Sequence, residues 1–398
     1  MTCEVAVMNK YGVALAADTA ATFGRGQKIY HAAEKIFQLS QFPPVGLMIS
    51  GSAEVMDMPW ETVIKTYSRQ AAGRRFERLE QYAEDFLRWV EEATSLFPAD
   101  LQRAWFRDTV RRYWKDAFLE PLAHARGPGS ATTARAVAPF MDRVVTRQIA
   151  QLRRLPALPA GDELGARVME EYGKDLDDVQ AELFRPFRLP AAFGGKFRLA
   201  VRLLHTHGWF HPSDQTGLVF AGMGEDEPFP LLREFQVGPV IAGRLRHMKV
   251  GEGTITRQVA AIVAPFGLTE MVDIFYRGID PGLEQRLYHI IRRAIGSAGL
   301  GAPQAKDVVA RIERQFSEEI LGRYQSPLIS AVEALPRQGL GTMAEALVSL
   351  TALKLRMSVE MAETVGGGID VAILSRGDGF TWVKRATAGR DGGAMVIP

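Results

Sequence analysis

Residues 1–52 read MTCEVAVMNKYGVALAADTAATFGRGQKIYHAAEKIFQLSQFPPVGLMISGS, and the order of apolar runs and turns in them decides the fold. A hydroxyl residue, Thr2, precedes a short apolar run at 3–8 that predicts a strand. Asn9-Lys10-Tyr11-Gly12 predicts a turn, and 13–17 a second strand ending on Asp18. A glycine-bearing loop leads to Glu34-Lys35-Ile36-Phe37-Gln38-Leu39, and a further strand runs into Ser50-Gly51-Ser52. A hydroxyl, a carboxylate, a lysine and a glycine turn thus fall at the ends of consecutive strands. That is the layout of a reactive site.

Each group has a role in acyl transfer. Removal of Met1 gives Thr2 a free α-amine, whose ordinary pKa of roughly 7.7–8.0 suits a general base near neutrality. A hydroxyl paired with its own N-terminal amine is a known form of activated nucleophile. The Lys35 ammonium favours the neutral amine, and Asp18 holds that lysine charged and in place. The Gly51 backbone N–H, with no side chain to block approach, can stabilise an oxyanion. The bland readings stand beside these: a strand start, a strand-end cap, a sheet-edge charge and a turn.

The segment resembles the N-terminal half of a proteasome β-subunit, or of its bacterial relative HslV, within the N-terminal-nucleophile (Ntn) hydrolases. Thr2, Gly-Val-Ala-Leu-Ala-Ala-Asp-Thr at 12–19, Glu-Lys-Ile-Phe-Gln at 34–38 and Met-Ile-Ser-Gly-Ser at 48–52 carry the likeness. The resemblance implies Thr2 as nucleophile and base, Asp18 and Lys35 as the charged pair, and Gly51 as oxyanion donor. It implies that the Thr22 backbone aligns substrate and that Ala21, Ile49 and Ala53 line the specificity pocket. One residue is inserted between Asp18 and Lys35 relative to the family spacing, placed in the loop around 24–26. Glycines 366–368, residues 369–374 and the turn at 376–379 are similar to the family's last hairpin, after a helix expected at 343–363. The family's supporting acid and serine before these glycines are replaced by Ala362 and Val365, with Glu363 and Thr364 alongside. Ala264-Pro265-Phe266-Gly267 stands where a further supporting serine belongs.

The implied fold is α+β, a four-layer αββα sandwich with an inserted helical region. The expected core is 1–72 plus 197–398, with extra helices at about 256–340. Residues 52–71 predict a helix capped by Ser52. The span 73–196 changes character: 75–93 and 101–122 are amphipathic and rich in Trp, Phe, Arg and Glu, which predicts a helical insertion. Its arginines are interleaved with acids, so a solvated face is preferred to a nucleic-acid surface. Residues 216–222 and 228–237 predict a strand pair, 240–248 a third strand, and 256–335 mostly helix, including 258–263 and 270–276.

His205, His207 and His211 alternate as strand residues would, which makes them weak metal candidates; a structural or interfacial role is the stronger reading. The 398 residues carry 47% hydrophobic content and a net charge of +2, as in ordinary globular proteins, and argue for neither nucleic acid nor an acidic ligand. One cysteine excludes an internal disulfide framework and suits a reducing cytoplasm, the expected location. Neither a signal peptide nor a run of about 18 apolar residues is recognised, so no membrane segment is expected. No cofactor motif is found, and Gly194-Gly195-Lys196 lacks the leading glycine and trailing hydroxyl of a phosphate loop.

These residues point to a threonine-type peptidase cleaving peptide bonds, a homo-oligomer with ring assembly and an ATPase or other delivery partner in view. Two other readings remain open: a catalytically weak or silent scaffold, and an amidase for a small non-peptide amide.

Overall fold

A computed structural model describes residues 2–23, 28–30, 33–126, 134–187, 189–297, 301–358 and 365–386. Strands β1 (Cys3–Asn9) and β2 (Gly12–Asp18) are buried along their whole lengths, as expected of apolar strands covered on both faces. A two-stranded ribbon, β3 (Ala21–Phe23) and β4 (Lys28–Tyr30), follows, then β5 (Ile36–Ser40) and β6 (Val45–Gly51). Residues 24–27, where the extra loop residue was expected, lie outside the described residues.

The chain then forms β7 (Glu54–Val55), β8 (Met58–Pro59) and helix α1 (Trp60–Gln70). The helix expected from Ser52 therefore starts at Trp60. Ser52 Oγ donates to the Glu54 carbonyl instead of capping a helix. Met56 and Asp57 turn back in the left-handed region (φ 50° and 62°), and Pro59 disfavours helical backbone at Met58.

Helices α2 (Leu79–Glu92), α3 (Ala99–Trp114), α4 (Glu120–Arg126), α5 (Ala134–Leu152), α6 (Gly161–Phe184) and α7 (Ala191–Thr206) make up the helical region. The remaining strands of the second sheet are β9 (Thr216–Gly222), β10 (Leu231–Ile241) and β11 (Arg244–Thr254). Then come β12 (Ala261–Gly267), α8 (Glu270–Arg277), α9 (Pro281–Gly296), α10 (Ala302–Ile320), α11 (Ser326–Ala334), α12 (Arg337–Met357), β13 (Ile369–Ser375) and β14 (Gly379–Lys384). Residues 359–364, which include Ala362, Glu363 and Thr364, lie outside the described residues.

Two five-stranded antiparallel sheets result among the described residues, in the orders β12-β1-β2-β13-β14 and β11-β10-β9-β6-β5, beside the two-stranded pairs β3-β4 and β7-β8. Side-chain alternation sorts each strand between two apolar clusters. Ala6, Met8, Val13, Leu15 and Leu374 of the first sheet pack with Met48, Val219 and Leu232 of the second. Val5, Val7, Ala14, Ala16 and Ile373 point the other way, against Leu340, Ala344 and Val348 of α12. The far face of the second sheet, with Leu47, Phe220 and Val237, meets Trp60, Ile64 and Phe86 of α1 and α2. Each buried aliphatic or aromatic side chain contributes about 1.5–3 kcal/mol, and a one-residue slip would turn every one of them to the wrong face. The register is thereby determined.

Strand β12 corrects the helical expectation for 258–263. Its Ala261–Gly267 pair with Asn9 back through Cys3. Pro265 is tolerated because β12 is an outer strand of its sheet, where a missing N–H costs no ladder bond.

Helices α3, α5, α6 and α7 share a cluster centred on Phe106, Trp114, Phe118, Tyr172 and Phe197. It joins the second sheet where Ile241 and Ala242 turn into β11. Arg246 on β11 is wholly buried, and its guanidinium donates to the Leu204 and Trp209 carbonyls at 2.7 and 2.6 Å. It supplies donors to the carbonyl end of α7, where a cation is favoured. His205 lies within that helix, not on a strand, and His207 is its C-terminal cap. The strand geometry expected for the histidines is therefore absent, because their neighbours Leu203 and Leu204 pack with a helical period. Burial pushes His205 down to about 3, keeping it neutral. Among the described residues no three His, Cys, Asp or Glu side chains are grouped to hold a metal. No described helix is long and apolar enough to cross a membrane.

Candidate active site

Antiparallel pairing brings the start of β1, the end of β2, the start of β13 and, in the facing sheet, the start of β5 and the end of β6 to one end of the stacked sheets. Glu4 pairs with Ala17, Asp18 with Ile369, and Ile36 with Met48. Thr2 sits at this end, 8% exposed, with its carbonyl accepting the Leu268 N–H at 2.8 Å. Its Oγ1 accepts a hydrogen bond from the Gly51 N–H at 3.1 Å. The nucleophile candidate and the oxyanion-donor candidate come from different sheets and meet directly.

Gly51 has to be glycine twice over. Its φ is +82°, and a Cβ there would come within 2.9 Å of the Gln215 carbonyl oxygen. Gly51→Ala is expected to cost about 1–2 kcal/mol in backbone strain. The accompanying shift of its N–H should lower the rate of acylation at Thr2 by roughly 10²–10³-fold. Denaturant unfolding and acylation kinetics on one preparation check both; an unaltered rate would remove Gly51 from the oxyanion role.

Among the described residues Asp18 is held by four donors: Lys35 Nζ at 2.6 Å and the N–H groups of Cys3, Ala20 and Gly366 at 3.0, 3.2 and 3.1 Å. Lys35 is itself buried, 4% exposed. Its position is set by main chain, since its carbonyl accepts the Ile49 N–H at 2.9 Å. The pair is therefore an internal charge with fixed geometry, of the kind that loses much when one partner is removed.

A third ionisable group was missed in the sequence. Glu4 is fully buried, with one carboxylate oxygen 3.4 Å from Lys35 Nζ and, among the described residues, neither oxygen in a well-formed hydrogen bond. Burial pushes it up to about 8, a shift that Lys35 and the Thr2 hydroxyl oppose and Asp18 reinforces. The signal was a lone acid in the interior of an apolar strand, Cys3-Glu4-Val5-Ala6-Val7. Cys3 faces the opposite cluster, and burial pushes its thiol up to about 12, so it packs as a small apolar residue.

The remaining expected residues spread around this end. Ala21 and Thr22 pair through their backbones with Tyr30 and Ile29 in the ribbon. Ile49 is buried in the cluster under α1, and the Ala53 carbonyl accepts the Trp60 N–H. Val365, at the family's serine position, is buried against α12, while the next residue's N–H serves Asp18. A cavity beside the Gly51 turn is lined by Ser52, Glu54, Asp57 and Pro239, with Trp105 of α3 and Asp214 contributed by the helical region and the segment after it.

No family model matches the chain, and no curated protein matches it. Among solved structures it is similar to Anbu from Hyphomicrobium sp. strain MC1, with 12% identity, a TM-score of 0.31 and coverage of 96% of this chain and 85% of that one. A mutant of that protein gives 13% identity and a TM-score of 0.30 over the same shares. Anbu (ancestral beta-subunit) from Yersinia bercovieri gives 11% identity and a TM-score of 0.32, over 97% of this chain and 92% of that one. Likeness at this level assigns neither function nor site residues.

Proposed function

We propose that this chain is a threonine-type amidohydrolase of the proteasome-like Ntn class, a four-layer αββα sandwich carrying a helical insertion. The observation that supports this best is the Gly51 N–H on Thr2 Oγ1 at 3.1 Å, with the buried Lys35–Asp18 pair at the same end of the sheets. Opening the peptide bond before Thr2 exposes its α-amine. Thr2 Oγ attacks the scissile carbonyl while its proton passes to that amine. The Gly51 N–H stabilises the resulting oxyanion. Collapse of the tetrahedral adduct breaks the C–N bond, and the amine's extra proton leaves with the departing amine. Water then attacks the Thr2 ester, releasing the carboxylic acid and restoring the hydroxyl. Lys35 lowers the basicity of the α-amine enough to keep it neutral, and Asp18 holds Lys35.

Peptide bonds are the proposed substrate class, and self-association into a ring the proposed assembly. The cavity walled by Trp105 and Asp214 favours a second substrate reading, a compact amide held beside the helical region. Intact mass spectrometry of the purified protein, before and after a peptidyl epoxyketone, tests the mechanism. The reagent needs the hydroxyl and the free amine of one threonine. Loss of Met1 with a single adduct at Thr2 is the expected result. A free Thr2 that never reacts, or a retained Met1, would leave the scaffold reading in its place.

A further inference from the structure

Glu4 is a buried acid that the mechanism above does not use. It lies between the two sheets at the reactive end, opposite Ala17, with a carboxylate oxygen 3.4 Å from Lys35 Nζ. Its other oxygen lies so close to Gly267 that a Cβ on that glycine would approach it to 2.9 Å. Among the described residues neither oxygen accepts a well-formed hydrogen bond. Asp18, by contrast, takes the lysine at 2.6 Å and three backbone N–H groups. One ammonium thus stands between a fully hydrogen-bonded carboxylate and one that it meets only at 3.4 Å. A buried carboxyl whose donors are this poorly placed favours its neutral form, because desolvation outweighs them.

We infer that Glu4 is a positioning residue that holds a proton during turnover, so that Lys35 is balanced by Asp18 alone and the site beside Thr2 carries no net charge. This rests on the threonine reading above. While Glu4 is neutral, the Lys35 field keeps the Thr2 α-amine free to accept the hydroxyl proton. When Glu4 ionises, the three side chains carry a net negative charge. That charge holds a proton on the α-amine and opposes charge build-up on the attacking oxygen. Activity should therefore rise as the amine deprotonates and fall again as Glu4 does.

The groups around Glu4 leave few rivals for that second step. On its own strand Cys3 stays protonated, its thiol pushed up to about 12 by burial. The Thr2 hydroxyl lies next to it in the chain, Asp18 ends β2, and Lys35 precedes β5. Two strands across the same sheet, Asp370 of β13 accepts the Ala386 N–H at 2.7 Å. Strand β12 contributes Phe266 and Gly267 alongside, and β6 places Met48 in the same inter-sheet cluster. Burial pushes Glu4 itself up to about 8, which puts its ionisation within a measurable window.

The test is the second-order rate of epoxyketone adduct formation at Thr2, followed by intact mass from acid to alkaline pH, for the full wild-type chain and for Glu4→Gln. The wild type is expected to show a falling alkaline limb of about tenfold per pH unit, and Glu4→Gln, which cannot ionise, to lose it. Superimposed profiles would overturn the role of Glu4 and leave the nucleophile intact. Absence of any wild-type adduct at any pH would overturn the threonine reading, and this inference with it. Should Glu4→Gln not fold, carboxyl ¹³C spectra of glutamate-labelled wild type decide instead. A carboxyl titrating near the position expected for Glu4 supports the proposal, and none above the ordinary carboxylate range overturns it.

Discussion

Thr2→Ala is expected to abolish adduct formation and amide cleavage while leaving the fold standing. The hydroxyl is the atom that bonds to substrate, so its loss should lower turnover on the order of 10⁴-fold or more, to background. The structural loss is small by comparison. Thr2 Oγ1 accepts one hydrogen bond, from the Gly51 N–H, and its removal is expected to cost roughly 0.5–1.5 kcal/mol. The Thr2 carbonyl still accepts the Leu268 N–H, so β1 and β12 stay anchored. Circular dichroism and denaturant unfolding of the variant beside the rate measurement separate the two effects. Thr2→Ser, which keeps the hydroxyl, should retain a measurable fraction of activity. A Thr2→Ala protein that cleaves amides at the wild-type rate would disprove the mechanism.

Lys35→Met is expected to give the other large effect, and on both axes. The substitution keeps much of the side chain's bulk while deleting the cation that serves two buried carboxyl groups. Removing one partner from a buried ion pair typically costs about 3–5 kcal/mol, because the remaining charge stays desolvated. Lys35 is also the largest influence opposing the upward shift that burial gives Glu4, so without it Glu4 should hold its folded-state proton to still higher pH. Proton uptake on folding means that stability falls as pH rises. Glu4 is protonated in both folded proteins well below pH 8, so the stability gap between wild type and Lys35→Met should widen mainly from pH 7 to pH 9 in urea unfolding. Acylation at Thr2 should fall as well, since the α-amine loses the field that keeps it neutral. A variant with unaltered stability at both pH values would mean that the buried pair contributes nothing to holding this end of the sheets.

Much of this end of the sheets was legible because its parts are close in sequence. Antiparallel strands joined by short turns must bring alternate strand ends together, so Thr2 and Asp18 meet through one hairpin and Lys35 and Gly51 through the next. The last hairpin was legible for the same reason, with a tight turn between runs of strand formers. Long amphipathic stretches announced α2 and α3, since apolar residues recurring every 3.6 positions over many residues line one face of a helix and both faces of a strand. Short features failed where local and distant forces compete. The run at 258–263 has no period long enough to separate helix from strand, and pairing with β1, more than 250 residues away, decided it. His205 and His207 alternate in sequence, yet the packing of Leu204 and Phe197 in the helical cluster placed them at a helix end.

The sequence by itself determined four of the strands among residues 3–51, though not the β3–β4 ribbon, together with the residue types at this end of the sheets and the presence of a large helical region, because hydrophobic period and turn chemistry act locally. Only the tertiary structure decided that the Gly51 N–H touches Thr2, that Lys35 reaches two carboxyl groups, and that Glu4 lies buried among them without a well-formed hydrogen bond. Those contacts join two sheets, and which side chains lose water between them depends on how the sheets stack. Desolvation, the force that sets the charge state of Glu4, exists only after that stacking.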